Sequence, residues 1–209
     1  MKKLILFIAA FIATFTVFGQ YFEGKIVYKN SYISKNPKVK DDQWISMMGS
    51  NQEFFIKSDN YKSISNGTLI QWQLYISKEN KIYNKLSNSL DVTWIDASVQ
   101  GDEILNIEVN KDVIEILGYK CNEVILTCKS GVQKHYYNAK LVVDYKLFAN
   151  HKFGNWYDFL LKSKSLPLKS IIETAQFTMI SIATEVKPMV LDNTIFNLPA
   201  GIKTSKSTY

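Results

Sequence analysis

Histidine and cysteine are scarce in this chain of 209 residues, which contains two of each. The sequence has no CxxC pair, no His-Glu-x-x-His helix, no Gly-x-Ser-x-Gly elbow, no phosphate-binding glycine-rich loop and no Rossmann fingerprint. Metal and nucleophilic centres are built from such clusters. We therefore expect a protein that is not an enzyme and that has no metal and no cofactor.

Acid–base chemistry would have to use the two histidines or a pair of carboxylates. His135 falls in an alternating stretch and is expected as an ordinary strand residue, whereas His151 falls in a loop and is expected to be solvated. Asp144 and Asp158 would act only if the fold brought them to one cleft, and Asp158 also fits the first turn of a helix. A hydrolase of envelope polymers is a minor alternative that requires these four side chains to converge.

The two cysteines are expected to be separate buried thiols. Cys121 and Cys128 fall in one predicted strand, where their Cα atoms lie roughly 23 Å apart on opposite faces, because a strand rises about 3.3 Å per residue. A disulfide needs Cα atoms within about 7 Å. The spacing also fits no common zinc site.

Runs of positive charge are missing as well. The chain has 25 lysine and arginine residues against 19 acidic residues, and its formal net charge is +6. The lysines are scattered among asparagines and serines, whereas nucleic-acid sites carry contiguous basic clusters. We expect no nucleic-acid binding.

The longest apolar run lies at the N-terminus, from Leu4 to Val17, behind the pair Lys2-Lys3. It is shorter than the roughly 20 residues of a membrane-spanning helix, and small Gly19 precedes polar Gln20. Residues 1–19 are therefore predicted to be a signal peptide that is cleaved after Gly19, with a retained anchor as the alternative. The mature protein is expected in the periplasm or cell envelope, or secreted, without a stable transmembrane segment.

From residue 22 onward, β-branched and aromatic residues alternate with polar ones, and turn residues separate the runs. In the run 68–77, Trp72 and Leu74 face one way and Gln73 and Tyr75 the other, which predicts a half-buried strand. The predicted strands are 24–33, 54–58, 61–64, 68–77, 81–86, 92–95, 104–109, 113–117, 119–128, 132–137, 167–174 and 177–186.

Two segments interrupt this pattern and are predicted as short helices. The first spans 41–48, and the second spans 156–162 with Asn155 as its cap. Both carry many apolar side chains for their length. A large antiparallel sheet with two such helices predicts a mainly β fold, a half-barrel whose concave face the helices cover.

Aromatic residues make up 13% of the chain. On a concave sheet they offer rigid, partly polar surfaces to acyl chains or sugar rings, although such a residue belongs to the core more often than it contacts a ligand. From periodicity, the predicted ligand-binding wall consists of Trp72 and Leu74 from the sheet and Trp44, Met48, Trp156 and Phe159 from the helices.

Several short motifs resemble a family of small exported proteins from Bacteroidetes-type bacteria. These are a strand with Gly-Tyr-Lys-Cys at 118–121, a turn at Ser130-Gly131 and the aromatic pair Tyr136-Tyr137, together with the opening 22–28 and the closing 196–201. The family is similar to the periplasmic lipoprotein-carrier superfamily. The resemblance implies an incomplete antiparallel barrel, with helices over an apolar concave face that binds acyl chains.

Together these features predict a monomeric, exported binding or carrier protein. Its single domain would span 20–202, followed by a flexible tail at 203–209, and its concave face would hold a lipid or another apolar small molecule. The alternative is an envelope interaction protein with a self-filled core, which binds a protein partner through its outer surface or a sheet edge.

Overall fold

The computed structural model describes residues 21–207, so the predicted signal peptide lies outside the described residues. Twelve strands and two α-helices make up most of this range, with a few short 3₁₀ turns between them. The strands are β1 (Gly24–Ser34), β2 (Asn51–Lys57), β3 (Asn60–Ser65), β4 (Ile70–Ile76), β5 (Lys81–Leu86), β6 (Val92–Asp96), β7 (Ile104–Ile116), β8 (Tyr119–Cys128), β9 (Val132–Val142), β10 (Ser165–Glu173), β11 (Phe177–Pro188) and β12 (Thr204–Lys206), and the helices are α1 (Asp41–Met48) and α2 (Trp156–Ser163).

All twelve strands form one sheet, in the order β12-β6-β5-β4-β3-β2-β1-β11-β10-β9-β8-β7. The sheet is not closed, because β12 and β7 form its two edges. The mainly β half-barrel with short helices that the sequence predicts is therefore confirmed. One detail differs: the two predicted strands at 104–109 and 113–117 are a single strand, β7, which pairs with β8 across an irregularity between Asn110 and Ile114.

The sheet buries side chains on both faces. On the concave face, Tyr75 of β4 belongs to a large core that includes Phe159 and Leu160 of α2. The next residue back along the strand, Leu74, points the other way and belongs to a second cluster with Tyr83. Two separate cores therefore share one sheet.

The outer cluster is covered by the segment that follows β11. Leu191 and Phe196 are buried there against Leu74, Tyr83 and Val92. The short turn Asn193–Phe196 contacts β3 and β4. This segment covers the apolar side chains on the convex side of β4–β6. Helix α2 covers apolar side chains on the concave side of the sheet.

Helix α1 lies at one end of the sheet, where it packs against β1. Backbone N–H groups of Thr68 and Leu69 donate to the carbonyls of Ser46 and Met47 at 2.9 Å. Gly67 permits this approach, because a Cβ at that position would lie 2.5 Å from the Met47 carbonyl oxygen. The helix is thereby fixed to the β3–β4 connection.

The segment 203–209, which is predicted to be a flexible tail, contains a short strand. Thr204–Lys206 forms β12, which pairs in parallel with β6, and Lys206 lies opposite Trp94. The Lys206 ammonium also lies 5.8 Å from the Trp94 ring centroid. This parallel pairing joins residues more than a hundred positions apart, so no local sequence pattern predicts it.

Both cysteines are buried free thiols, as their spacing predicts. Burial raises the pKa of the Cys128 thiol to about 11. Its sulfur accepts a hydrogen bond from Asn155 Nδ2 at 3.2 Å. The Asn155 side chain therefore does not cap α2, in contrast to the prediction.

The outer cluster yields a stability prediction. Phe196 is 7% exposed, so Phe196→Ala should lower the free energy of unfolding by about 3 kcal/mol, since it removes a buried ring and leaves a cavity. Val190 is 86% exposed in the same segment, and Val190→Ala should change it by less than about 0.5 kcal/mol. Urea unfolding of both variants measures the difference. Equal effects would show that this segment does not cover the sheet.

Candidate functional site

Two adjoining cavities open on the concave face, on either side of Trp156. Their volumes are about 190 and 200 Å³, and both are lined by Gln52, Phe54 and Trp156. We call the pair the Trp156 groove. The first cavity is further lined by Tyr28, His135, Pro167, Ser170, Ile172, Met179 and Ser181, and the second by Tyr61, Ser63, Gln73, His151, Phe153 and Gly154.

The position of Trp156 is set by the backbone that precedes α2. Gly154 and Asn155 both have left-handed φ values, of 64° and 59°, which glycine and asparagine tolerate better than other residues. The chain turns sharply there, and Trp156 becomes the first residue of α2. Its ring centroid lies 6.4 Å from that of Phe54 and 6.2 Å from that of Tyr61. The indole Nε1 is buried and has no hydrogen-bond partner among the described residues.

A buried histidine–tyrosine pair borders the second cavity. His151 is 2% exposed, and its Nε2 lies 2.8 Å from the Tyr61 hydroxyl. Burial raises the pKa of Tyr61, so the hydroxyl keeps its proton, and the tautomer of the His151 ring decides which of the two groups donates in this contact. The Nδ1 atom of His151 is buried without a partner in the part of the chain that the structure describes. The expectation of a solvated His151 is wrong, because the fold packs its ring 4.5 Å from that of Tyr75.

The first cavity is bordered by a second buried histidine. His135 of β9 is 6% exposed, and its Nδ1 lies 2.9 Å from the hydroxyl of Ser170 on β10. It is a strand residue, as predicted. The His135 ring centroid lies 4.5 Å from that of Phe159, which belongs to the core beneath the cavity.

Amide side chains extend the polar surface across the other half of the sheet. Gln52 Nε2 donates to the Ser63 hydroxyl at 2.8 Å, and Gln73 Nε2 donates to Asn84 Oδ1 at 2.9 Å. These residues sit at concave-face positions of β2 to β5. The groove therefore combines aromatic rings with neutral hydrogen-bonding groups.

No residue that lines the groove is charged at neutral pH among those the structure describes. The lining contains no Asp, Glu, Lys or Arg. Burial lowers the pKa of His135 and of His151 to about 4, so both rings are neutral. Burial also raises the pKa of Tyr28 and of Tyr61, which keeps both hydroxyls protonated. A charged ligand would find no counter-charge here, and burying an unpaired charge is costly.

Of the six predicted wall residues, Trp156 alone lines the groove. Phe159 lies next to it, 5.8 Å between ring centroids, but it is 1% exposed and belongs to the core beneath. Trp72 and Leu74 lie on the opposite face, because alternate residues of β4 point to opposite sides and Gln73 lines the second cavity. Trp72 and Leu74 therefore do not belong to the wall of the groove, in contrast to the prediction.

The two predicted wall residues of α1 also lie away from the groove. The Trp44 ring packs 4.5 Å from Phe177, and its Nε1 donates to Ser34 Oγ at 3.1 Å. Met48 is partly buried at the end of α1 and lines neither cavity. Helix α1 covers the end of β1 and β11, because its hydrogen bonds to the β3–β4 connection hold it there.

Sequence reasoning missed the polar residues of the groove. The available signal was a polar residue at an apolar-face position, as where Ser181 stands between Met179 and Ala183 on β11. Ser181 and Ala183 are both buried. Gln73 shares its face of β4 with Tyr75 and Gln71. Because Gln71 is itself polar, the signal at Gln73 is weaker.

The carboxylates that an acid–base mechanism would need lie elsewhere. Asp144 accepts a hydrogen bond from the Lys146 backbone at 3.1 Å and starts a 3₁₀ turn. Asp158 lines a different concavity, of about 460 Å³, beside Asp102 and Glu103. Within residues 21–207 no group of three metal-ligating side chains occurs. None of the helices in that range is long and apolar enough to cross a membrane.

Comparison with known proteins gives no family: no protein-family model and no curated protein matches the chain. Among solved structures, the chain is similar to the crystal structure of an uncharacterized conserved protein from Thermus thermophilus. The sequence identity is 8%, and the TM-score is 0.45 over 87% of this chain and 90% of that chain.

The buried histidines predict a pH dependence of stability. In the folded state both pKa values are about 4, below the ordinary 6.5, so the unfolded chain takes up protons first as the pH falls. The free energy of unfolding should therefore fall by about 1.4 kcal/mol per pH unit for each histidine between about pH 6.5 and pH 4.

Urea unfolding between about pH 7 and pH 5 measures this slope, and the His135→Gln variant provides the control. Replacing one titrating ring by a neutral amide should remove about half of the slope. A wild-type stability that stays flat over this range would contradict the burial of the two rings.

Proposed function

We propose that this chain is a non-enzymatic binding protein and that the Trp156 groove is its ligand site. The observation that carries the proposal is the lining, which joins aromatic rings to neutral amides and hydroxyls without a charge. The ligand would be an uncharged molecule that has both an apolar surface and hydrogen-bonding groups. Location in the periplasm or cell envelope, as predicted from residues 1–19, is part of the proposal.

This ligand differs from the purely apolar one that the sequence suggests. Gln52, His135, Ser170 and Ser181 interrupt the apolar surface of the first cavity. An acyl chain would offer no hydrogen bond to the Ser181 hydroxyl, or to the polar atoms that the Gln52–Ser63 and His135–Ser170 contacts leave free. Each polar group that is buried without a partner costs about 1–3 kcal/mol. Membership of the lipoprotein-carrier superfamily stays a prediction. The ligand that we propose is more polar than the lipid that this resemblance implies.

The unfilled groove also favours a ligand site over the alternative of a self-filled core. Space remains open on both sides of Trp156, whereas protein interiors are close-packed and leave few voids. Each roughly 100 Å² of apolar ligand surface removed from water would contribute about 2.5 kcal/mol to binding. We therefore expect affinities that are measurable at micromolar to millimolar ligand concentrations.

The proposal predicts that a neutral aromatic probe binds at Trp156. N-phenyl-1-naphthylamine is uncharged, and its fluorescence rises in apolar surroundings. The Trp156→Ala variant should bind it at least about tenfold more weakly, since an aromatic pair alone adds about 1 kcal/mol beyond the buried area. A fluorescence titration of the purified chain measures this difference.

Trp72→Ala is the matched control, because Trp72 is partly buried on the opposite face under the Lys62 ammonium, 5.3 Å from its ring centroid. This variant should bind the probe like the wild type. The anionic probe 8-anilinonaphthalene-1-sulfonate should bind more weakly than the neutral one, because no cation lines the groove within the described residues. Probe binding that is lost with Trp72 and retained without Trp156 would contradict the proposal.

A further inference from the structure

A patch of exposed apolar side chains lies at the end of the sheet where β1 begins. Gly24 of β1 pairs there with Pro188, the last residue of β11. Two concavities, of about 340 and 210 Å³, open at this end and share Tyr21, Phe22 and Glu23 in their lining. We call the four exposed apolar residues that line them the N-terminal patch: Tyr21, Leu147, Met189 and Val190.

The backbone holds the N-terminal patch in place. The Phe22 N–H donates to the Val142 carbonyl at 2.7 Å, and the Met189 N–H donates to the Glu23 carbonyl at 3.1 Å. Segments 21–23 and 188–190 are thereby fixed side by side, next to the end of β9. Single exposed apolar residues are ordinary, but a contiguous apolar patch marks an interaction surface.

Three lysines stand at the same end of the sheet. Lys140 lines the larger concavity. Lys146 and Lys187 are next in the chain to residues that line the two concavities. All three are exposed, and none of them forms an ion pair with another described residue. Their charges are therefore available to an anionic partner.

The acidic side chains of the two concavities do not cancel this positive charge. Glu23 lies 3.4 Å from the Lys57 ammonium and also accepts a hydrogen bond from the Leu191 N–H at 2.6 Å. Asp144 is the one other acid among the described residues that line them. Three lysines against one carboxylate without an ion pair leave this surface positive.

The sequence that precedes the patch indicates the kind of partner. The apolar run Leu4–Val17 ends four residues before Tyr21. As a signal peptide, this run enters the bilayer during export. Four residues of extended chain span at most about 14 Å, so the patch is brought to the membrane surface while the run is attached. Apolar side chains accompanied by lysines suit that position.

We propose that the N-terminal patch docks on the surface of a bilayer that contains anionic lipids. Met189 and Val190 enter the boundary between headgroups and acyl chains, and the three lysines lie against lipid phosphates. Interfacial binding of this kind combines buried apolar area with attraction to anionic lipids. The four patch residues line neither cavity of the Trp156 groove, so the inference goes beyond the proposed function.

A protein partner fits this surface less well. Stable protein interfaces bury about 800 Å² on each partner, and lysine is depleted in them. The N-terminal patch consists of four side chains, and lysines accompany them. At a membrane surface, by contrast, lysine keeps its ammonium in water while its stem contacts apolar groups.

The test measures binding of the purified, exported chain to lipid vesicles by sedimentation. Vesicles of phosphatidylethanolamine and phosphatidylglycerol should bind the chain, and added salt should weaken binding because it screens the charges. Val190→Asp should weaken binding at least about tenfold, since it places a carboxylate at an anionic, partly apolar boundary. Lys140→Gln should weaken it about fivefold and leave the weaker binding to vesicles of neutral phosphatidylcholine unchanged.

Leu90→Asp is the matched control for Val190→Asp. Leu90 is 92% exposed in the turn between β5 and β6, where the Ser87 N–H donates to the Leu69 carbonyl at the α1 end of the sheet. Its replacement should leave vesicle binding unchanged. Lys38→Gln is the control for Lys140→Gln, because Lys38 is exposed just before α1.

Vesicle binding that Val190→Asp retains in full would overturn the inference, and so would an absence of binding by the wild type or a loss of binding in Leu90→Asp. Urea unfolding of Val190→Asp should match the wild type, since Val190 is 86% exposed. The variant should also bind N-phenyl-1-naphthylamine like the wild type. Failure of the naphthylamine titration in the wild type contradicts the proposed function alone, and failure of vesicle binding contradicts the present inference alone.

Discussion

An open sheet of twelve strands has two faces to bury, and the rest of the structure depends on how each face is covered. Burial of apolar surface is the dominant stabilising term, so a strand that packs on both sides needs a cover on both sides. The segment with Leu191 and Phe196 covers the outer face of β4–β6, and α2 covers part of the concave face. The groove is the concave surface that α2 leaves open beside its first residue, Trp156.

The positions of the strands and helices can be predicted well from the sequence. Which side chains of a strand face the concave side of the sheet cannot. Both helices and nearly all strands follow from periodicity and turn residues, because these signals are local. Alternation in β4 separates Trp72 and Leu74 from Gln73 and Tyr75, but it cannot say which set faces α2. Since both faces are buried, hydrophobicity favoured Trp72 and Leu74, which lie on the face opposite the groove. The burial of His151 by Tyr61, ninety positions away, is likewise a product of the tertiary fold.

The chemistry of the groove follows from polar residues at positions that the fold buries. Gln52, His135, Ser170 and Ser181 line the first cavity, and a sheet stabilised by packing alone would place apolar residues there. The uncharged lining and the histidine pKa values near 4 make the surface neutral over the physiological range. A ligand of such a surface would be selected by shape and hydrogen bonding, with little contribution from charge.

The proposed ligand site lies on the concave face at Trp156. A crystal structure of the chain with N-phenyl-1-naphthylamine bound would locate the probe. We expect electron density for the naphthyl ring between Trp156 and Phe54, with Gln52 in contact. Density at Trp72 on the outer face, or in the concavity of about 340 Å³ at Tyr21 and Val190, would contradict it.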